Sequence, residues 1–396
     1  MISGPETIAA NGRLNTSNYL ATLDGWRAIA ILGVLCAHGA HRVLGPGGLY
    51  PSPTWYDASG YGVLGVDIFF GISGFLICTR LLQEEQRLGR INLKSFYIRR
   101  VFRILPPYLL YLLAAVLLTA TGVIAAQRWE FVSCLLFFRN YMPLDAAQNW
   151  YTGHFWSLAV EEHYYLLWPP LLFLLGVRRA RPTVLGLAIL VALWRVVEFR
   201  YGFVSHRLLD ASFYVRTDIR ADALLWGCWM ALLFHVPKWR GRLQRWLLRG
   251  VWTGLVAGFA ACVVMKPHFV MTWQAILIPF LLIGTVLHPN WAVSRLLESA
   301  PLRWIGRISY SLYLWQQIFV TPLGQFGKLG VVQRFPVNIL ATVVAACLSY
   351  YCMEKYLIRL GHKLAARESA KLALAGRVST ATVAGPVSLV SVGENR

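Results

Sequence analysis

Long apolar runs separated by short polar connections recur along the chain from residue 25 to residue 355. Most runs approach the ~20 residues that an α-helix needs to cross the hydrocarbon core of a bilayer. The pattern therefore predicts an all-α, polytopic membrane helix bundle of about ten transmembrane helices in one domain. The predicted spans are 25–43, 63–79, 104–124, 160–177, 183–200, 215–235, 251–267, 273–288, 308–323 and 336–355.

Two stretches outside these spans carry further information. The apolar segment 131–142 is too short to cross a bilayer, so it is predicted to be re-entrant or interfacial. The first 22 residues lack the basic start and apolar run of a cleavable signal. We therefore expect the first span to be a permanent anchor.

The basic residues fall mostly on one side of this ten-span arrangement. Of the 38 Lys and Arg residues, 25 lie in alternate connections or in the C-terminal tail. The positive-inside rule makes that side cytoplasmic, with both termini inside. We expect a multi-pass protein of the inner (plasma) membrane, with a cytoplasmic segment over residues 1–20. The tail, 359–396, is expected to be basic and then, beyond Arg377, disordered.

Composition supports the membrane setting and limits the partners. Hydrophobic residues make up 57% of the chain and charged residues only 14%, against roughly 25% charged in soluble domains. Topology and attraction to anionic membrane lipid explain the net charge of +20, so no nucleic-acid partner is expected. The seven cysteines are scattered singly, without the spacing of a disulfide or metal framework, and no metal is expected.

Two cationic side chains interrupt the first predicted span. Arg27 and His38 are eleven residues apart, so they share a helix face, roughly 16 Å apart along the axis. Ionisable groups inside membrane helices are costly and usually mark a functional path. Asp67 of the second span is expected at the depth of His38, where its carboxylate would orient the imidazole as a general base. The alternative is that Asp67 caps its helix and His38 is a packing residue.

A basic pair stands at the cytoplasmic end of the third predicted span. Arg100 and Arg103 are three residues apart and share a helix face. Guanidinium groups match the oxygens of a phosphate, so the pair is a candidate for binding an anionic ligand. Spacing alone slightly favours the alternative, an anchor for lipid headgroups.

Two more polar clusters lie near the predicted outer ends of spans. Glu161 and Glu162 are adjacent and point about 100° apart on a helix, so they cannot both face one partner. The second cluster is either a mutually neutralising salt-bridge network or part of a site. It contains Arg216, Asp218, Arg220 and Asp222. The glycine-rich stretch 65–75 predicts close helix packing, contact with a ligand, or both.

Together these residues resemble the acyltransferase 3 family of integral membrane O-acyltransferases over about residues 18–358. We expect its membrane domain to cover residues 21–358. The matching elements are Arg27 with His38, the stretch 65–75, Arg100 to Arg103, Phe155 to Glu162 with Tyr165, and Ile308 to Trp315. Each element alone is a weak signal, but five in the expected order form a specific one.

The resemblance implies an acyltransferase that transfers groups other than aminoacyl groups. The donor would be acyl-CoA, with acetyl-CoA expected first, and the acceptor a hydroxyl of a cell-envelope glycan, a glycolipid or another carbohydrate-containing molecule. Catalytic roles are expected for His38, Asp67, Glu161 and Glu162. Donor binding is expected for Arg27, Arg100 and Arg103. Acceptor contacts are expected for Trp156, Ser157, Tyr165, Arg220 and Tyr313.

Two departures from the family pattern bear on the chemistry. Gln316 stands where the family often has His, and His163 stands where it commonly has Gln. Because Gln316 cannot carry a proton at neutral pH, His38 would have to do more of the proton transfer.

The sequence leaves alternatives open for both the mechanism and the function. His38 is either a general base on the acceptor hydroxyl or a covalent acyl carrier. The chain either completes the transfer or hands the acyl group to a separate extracytoplasmic transferase. The main competing function is a transporter or flippase of a glycan or lipid-linked substrate, since buried Arg, His and acidic residues also build transport pathways. A non-catalytic scaffold or sensor is the third class.

Overall fold

The computed structural model describes residues 19–44, 55–143, 150–204, 212–265, 269–321 and 329–383. Within these ranges every regular element is helical, as the all-α prediction requires. The α-helices are α1 Ala21–Leu44, α2 Trp55–Leu88, α3 Leu93–Ala120, α4 Arg128–Leu135, α5 Trp150–Gly153, α6 Phe155–Tyr201, α7 Thr217–Phe234, α8 Pro237–Trp246, α9 Arg249–Met265, α10 Val270–Leu287, α11 Ala292–Leu297, α12 Ala300–Phe319, α13 Val337–Ser349 and α14 Lys355–Val383. The π-helical turn Tyr350–Glu354 joins α13 to α14, and one-turn 3-10 helices lie at Arg139–Tyr141, Phe213–Val215 and Gly330–Gln333.

Each predicted span overlaps a helix, but fewer helices qualify as spans by length and apolar character. Among the described residues five do so, or six if the pair Phe213–Phe234 and Pro237–Trp246, bent by 108°, counts as one. The five are Gly62–Leu88, Leu93–Ala120, Trp150–Tyr201, Val270–Leu287 and Val337–Lys371. Neither α1 nor α12 is among them, and both carry polar side chains of the candidate site. The total of about ten spans and the orientation stay predictions.

The longest helix, α6, contains two of the predicted spans and reverses between them. Gly176 has φ 66° and ψ 163°, a left-handed backbone conformation that glycine adopts readily. His163 Nδ1 lies 2.6 Å from Thr217 Oγ1, and Trp194 donates to Asp218 at 2.7 Å. A straight helix would separate residues 163 and 194 by about 46 Å. Since both reach the start of α7, α6 doubles back, as the separate spans 160–177 and 183–200 predict.

The centre of the bundle is formed by α1, α2, α7 and α12. Helix α1 packs on both α2 and α12, and α2 packs on α7. A Cβ at Gly74 of α2 would lie 1.9 Å from the carbonyl oxygen of Leu224, and one at Gly227 would lie 2.3 Å from that of Gly71. Only glycine fits such a backbone contact. Ser73, in the same stretch, lines a cavity instead, so the stretch both packs helices and borders a cavity.

Residues after the last predicted span begin as a packed helix. Helix α14 lies on α3, where Ser95 donates to the carbonyl oxygen of Ala365 at 2.9 Å. The helix continues to Val383, past Arg377, and the extent of the disordered tail stays a prediction. Residues 1–18 and 384–396 lie outside the described residues, and with them most of the expected N-terminal segment and the end of the expected tail.

The segment 131–142 forms no span of its own. Helix α4 has eight residues, and Phe137 then takes a left-handed φ of 53° before the 3-10 turn. The side chain of Leu136 is exposed, whereas Glu130 and Arg139 at the two ends are fully buried. This short, polar-anchored unit fits both the re-entrant and the interfacial interpretation.

Candidate active site

A cavity of about 220 Å³ is lined by arginine side chains from four helices, and we call it the arginine cavity. These side chains are Arg27 of α1, Arg80 of α2, Arg99, Arg100 and Arg103 of α3, and Arg307 of α12. The sequence pointed to Arg27, Arg100 and Arg103 as one group, and the structure brings these three together. The other three had appeared in the sequence only as charges that set the orientation, which gave no signal of a common site.

Arginines outnumber acidic residues in the lining of the arginine cavity. Its acidic lining residues are Asp24 and Glu354, and neighbouring hydroxyl groups donate to both carboxylates. Arg99 is held by Glu84 at 2.8 Å. In the described ranges the other five arginines have no carboxylate within ion-pair distance. The cavity is therefore strongly positive and suited to an anion with several phosphate groups.

A second cavity of about 80 Å³ adjoins the first, and we call it the narrow cavity. The two share Arg27, Ser73, Arg100, Arg103 and Tyr310 as lining residues, so they form one passage. Farther along, the narrow cavity is lined by Ser157, Glu161, Glu162, Tyr165 and Tyr313. Of the twelve site residues that the sequence suggested, eight line this passage, while His38, Asp67, Trp156 and Arg220 do not.

The two adjacent acids lie beside the arginines. Glu161 accepts hydrogen bonds from Ser73 at 2.9 Å and from Tyr165 at 2.6 Å. The guanidinium carbon of Arg100 lies 5.1 Å from the centre of the Tyr165 ring, a cation–π contact. Glu162 lines the same narrow cavity. The sequence predicted both acids at the outer end of their span and Arg100 at the inner end of another. In the structure the acids lie next to Arg100.

Two side chains that line the narrow cavity, Tyr313 and Ser157, are hydrogen-bonded to each other. The Tyr313 hydroxyl donates to the carbonyl oxygen of His154 at 3.0 Å and lies 2.6 Å from Ser157 Oγ. All three residues are buried. Gln316, one helical turn farther along α12, contacts His38. Tyr313, which lines the narrow cavity, therefore lies about one turn of α12 from the residue that contacts the imidazole.

His38 has partners that the sequence did not suggest. Its Nδ1 lies 2.7 Å from Oε1 of Gln316, and its ring packs edge-on against Trp150 with centroids 5.1 Å apart. His38 and Gln316 are 278 residues apart in sequence, and no local pattern links them. Gln316, which appeared to be a departure that leaves His38 unsupported, is the residue that holds its ring.

Asp67 does not orient His38, which corrects the sequence-based expectation. It forms a buried ion pair with Arg220 of α7. The guanidinium carbon of Arg220 also lies 5.7 Å from the centre of the Trp156 ring and 5.9 Å from that of Phe70. Arg220 thus pairs with Asp67 while Trp156 packs on its guanidinium, and the acceptor contacts expected of both residues stay predictions. Helix packing between α2 and α7 makes this carboxylate a partner of Arg220.

The remaining charges near the start of α7 are also paired, and with Asp67 and Arg220 they form what we call the paired network. Arg216 lies 2.6 Å from Glu198 and 2.5 Å from Asp218, and Arg195 pairs with Asp222. Of the alternatives left open by the sequence, the salt-bridge network is the one observed. Most of its partners come from α6 and α2 rather than from within the cluster itself.

Comparison with known proteins identifies the family. The family model described as an acyltransferase domain, acyltransferase 3, matches residues 20–354. The peptidoglycan O-acetyltransferase OatA of Listeria monocytogenes is 29% identical over 368 residues, covering 85% of this chain and 55% of that protein. The O-acetyltransferase OatA of Staphylococcus aureus is 28% identical over 380 residues, covering 89% of this chain and 59% of that protein. No solved structure matches.

This chain therefore spans somewhat more than half the length of these curated relatives. The family match extends over most of the chain, from α1 to the π-helical turn before α14, and includes every residue that lines the narrow cavity. The chain belongs to the acyltransferase 3 family.

Proposed function

We propose that the protein is a multi-pass O-acyltransferase of the plasma membrane. It moves an acyl group, acetyl in the first instance, from cytoplasmic acyl-CoA to a hydroxyl of a cell-envelope glycan. The observation that carries the proposal is a strongly positive cavity beside a narrow cavity lined by Tyr313, which lies three residues before Gln316, the partner of His38.

The arginine cavity supports a donor with several phosphates. Coenzyme A carries a pyrophosphate and a ribose 3′-phosphate, and guanidinium groups bind such oxygens with charge-assisted, often bidentate hydrogen bonds. Five arginines there lack a carboxylate partner within the described chain, so their charge is available to a ligand. A lipid headgroup would explain arginines at a helix end, but not their convergence around a cavity from four helices.

The distance from this cavity to His38 suits a long, flexible donor arm. Along α12, Arg307 and Gln316 are nine residues apart, which corresponds to about 14 Å of helix. Along α1, Arg27 and His38 are separated by about 16 Å. Phosphates held at the arginines would therefore let the thioester at the end of an extended pantetheine arm approach His38.

In the proposed reaction, the imidazole of His38 takes the proton of the acceptor hydroxyl as its oxygen attacks the thioester carbonyl. The tetrahedral intermediate then expels the CoA thiolate, and the ester forms. The covalent alternative, in which His38 first takes the acyl group, uses the same position of donor and imidazole. His38 would deliver the acyl group either to the glycan itself or to a separate extracytoplasmic transferase.

Tyr313 is proposed to have a role in this scheme because it lines the narrow cavity and lies about one turn of α12 before Gln316, the partner of His38. Its hydrogen bonds to Ser157 and the His154 carbonyl must give way for a thioester to pass. Once turned from them, the phenol can donate to the oxyanion of the intermediate.

Glu161 is proposed to act on the donor side. Through Tyr165 it holds the ring against which Arg100 rests, so it fixes the position of that guanidinium. Glu162, which lines the same cavity, is proposed to face the reacting end of the donor.

The glycan acceptor is proposed from the relatives, one of which is named a peptidoglycan O-acetyltransferase. A membrane-embedded enzyme could meet such a glycan, or its lipid-linked precursor, at the membrane surface.

A reconstituted sample tests enzyme against transporter. Purified protein in lipid vesicles is mixed with acetyl-CoA and a cell-envelope glycan extract, and free CoA thiol is measured over time. We expect thiol release that depends on the extract, with acetyl esters appearing on the glycan. Movement of glycan across the vesicle membrane without thiol release would contradict the proposal and support a flippase.

A further inference from the structure

We infer that Gln316 and Gln317 are positioning residues that fix the tautomer of His38, with the proton on Nδ1 and the basic lone pair on Nε2. The inference rests on the proposed function for its catalytic meaning. Its structural basis is a relay of hydrogen bonds that begins at a backbone carbonyl group and ends at the imidazole.

The relay links α5, α12 and α1. The side-chain amide of Gln317 donates to the carbonyl oxygen of Trp150 at 2.8 Å. The amide of Gln316 donates to Oε1 of Gln317 at 2.7 Å. Oε1 of Gln316 then lies 2.7 Å from Nδ1 of His38.

The backbone carbonyl of Trp150 sets the direction of every bond in this relay. A carbonyl oxygen can only accept, so Gln317 must turn its NH₂ group toward Trp150 and its oxygen toward Gln316. Gln316 must then turn its own NH₂ group to Gln317 and its oxygen to His38. An amide oxygen cannot donate, so Nδ1 of His38 has to carry the proton. Reversing either amide would bring two acceptors or two donors together.

Burial makes such a reversal costly. Gln316 is 0% exposed and Gln317 is 3% exposed. A buried polar group without a hydrogen-bond partner costs about 1–3 kcal/mol. Trp150 also donates through Nε1 to the carbonyl oxygen of Gln317 at 2.9 Å, and its ring packs against His38. The relay is therefore held in place at both ends.

This arrangement assigns the chemistry to one nitrogen. A neutral imidazole with the proton on Nδ1 accepts a proton, or an acyl group, at Nε2. Because glutamine does not ionise, Gln316 orients the ring without competing for the proton. The tautomer is thus set whether His38 acts as a base or as an acyl carrier.

Three variants test the relay. Gln317→Met removes the amide that orients Gln316, so Gln316 can present either end to His38. Gln316→Leu removes the acceptor altogether. The double variant Gln316→Glu with Gln317→Met restores an acceptor that cannot be reversed at a pH where the carboxylate is ionised and His38 is neutral, because both carboxylate oxygens then accept, and it is measured at such a pH.

The readout is the ¹⁵N NMR spectrum of histidine-labelled protein in lipid, with the His38 signals assigned by their loss in His38→Asn. In the wild-type protein at a pH where His38 is neutral, we expect the protonated nitrogen to be Nδ1. Gln317→Met should give a mixture of tautomers and lower kcat by roughly 10- to 100-fold, with little change in the KM for acetyl-CoA. The double variant should recover a single tautomer and most of kcat.

A wild-type proton on Nε2, or an unchanged spectrum and kcat in both single variants, would overturn the inference. So would a double variant that regains one tautomer without regaining rate. The spectrum does not depend on turnover. Failure of the proposed function would therefore appear separately, as wild-type protein with the expected tautomer and no acyl transfer.

Discussion

The arginine cavity and the paired network each bring together charged side chains from several helices but use their charge in opposite ways. In the paired network Arg195, Arg216 and Arg220 each have a carboxylate partner. In the arginine cavity, among the described residues, only Arg99 has one. Charges paired inside the protein hold helices together, whereas a convergence of unpaired arginines remains available to an anion. The difference separates a structural region from a ligand site, although the sequence marks both as charged clusters.

The largest effect is expected from breaking a pair in the network. Asp67→Leu leaves the buried guanidinium of Arg220 without a carboxylate, which should destabilise the fold by about 3–5 kcal/mol. Thermal unfolding in detergent measures the loss. The double variant Asp67→Leu with Arg220→Met should regain most of the stability and at least part of the turnover. A stable but inactive double variant would instead assign Arg220 to the acceptor site.

Tyr313→Phe tests whether the cavity side of this comparison serves catalysis rather than stability. The phenol is proposed to stabilise the oxyanion, so kcat should fall about 100-fold, while stability changes by only about 1 kcal/mol. Ser157→Ala removes the hydroxyl partner of Tyr313 but not the phenol, and it is the matched control. Equal losses of kcat in both variants would argue against an oxyanion role.

Arg100→Ala should act on donor binding rather than on folding. Loss of one charge-assisted contact, about 1.5–3 kcal/mol, should raise the KM for acetyl-CoA by roughly 10- to 100-fold with little change in unfolding temperature. The control is Arg87→Ala, an exposed arginine of α2 outside the cavity. With acetyl-pantetheine, which lacks the phosphates, Arg100→Ala and wild type should perform alike. An equally large rise in the KM for acetyl-pantetheine would show that Arg100 does not act by binding the phosphates of the donor.

The smallest effect is a dependence on salt. Raising ionic strength from about 0.1 M to 1 M shortens the Debye length from about 10 Å to about 3 Å. We expect a several-fold rise in the KM for acetyl-CoA, because Arg80 and Arg307 of the arginine cavity are exposed. The unfolding temperature should change little, since the paired network is buried. A KM that is independent of salt would contradict electrostatic capture of the donor.

The sequence was a good guide wherever local periodicity decides the outcome. Apolar runs located the helices, and the break between two of them corresponds to the reversal of α6 at Gly176. Arg27, Arg100 and Arg103 were grouped as donor-binding residues through the family resemblance, and all three line one cavity.

Partner choice could not be predicted in the same way. Asp67 and Arg220 are 153 residues apart, and His38 and Gln316 are 278 apart, so contacts between distant helices decide both pairs. Asp67 had two plausible cationic partners, and the close crossing of α2 and α7 through glycine settled the choice. The helical start of the tail was missed for a similar reason. It is stabilised by packing on α3 and not by an apolar period of its own.

The central claim is that a donor held at the arginine cavity reacts at His38, and His38→Ala tests it most directly. Turnover of acetyl-CoA and binding of a non-reactive CoA thioether are measured on the same purified sample. We predict that turnover falls at least about 1000-fold while the thioether binds as it does to wild type and the unfolding temperature is maintained. Turnover that stays within about tenfold of wild type in a folded His38→Ala protein would contradict the account.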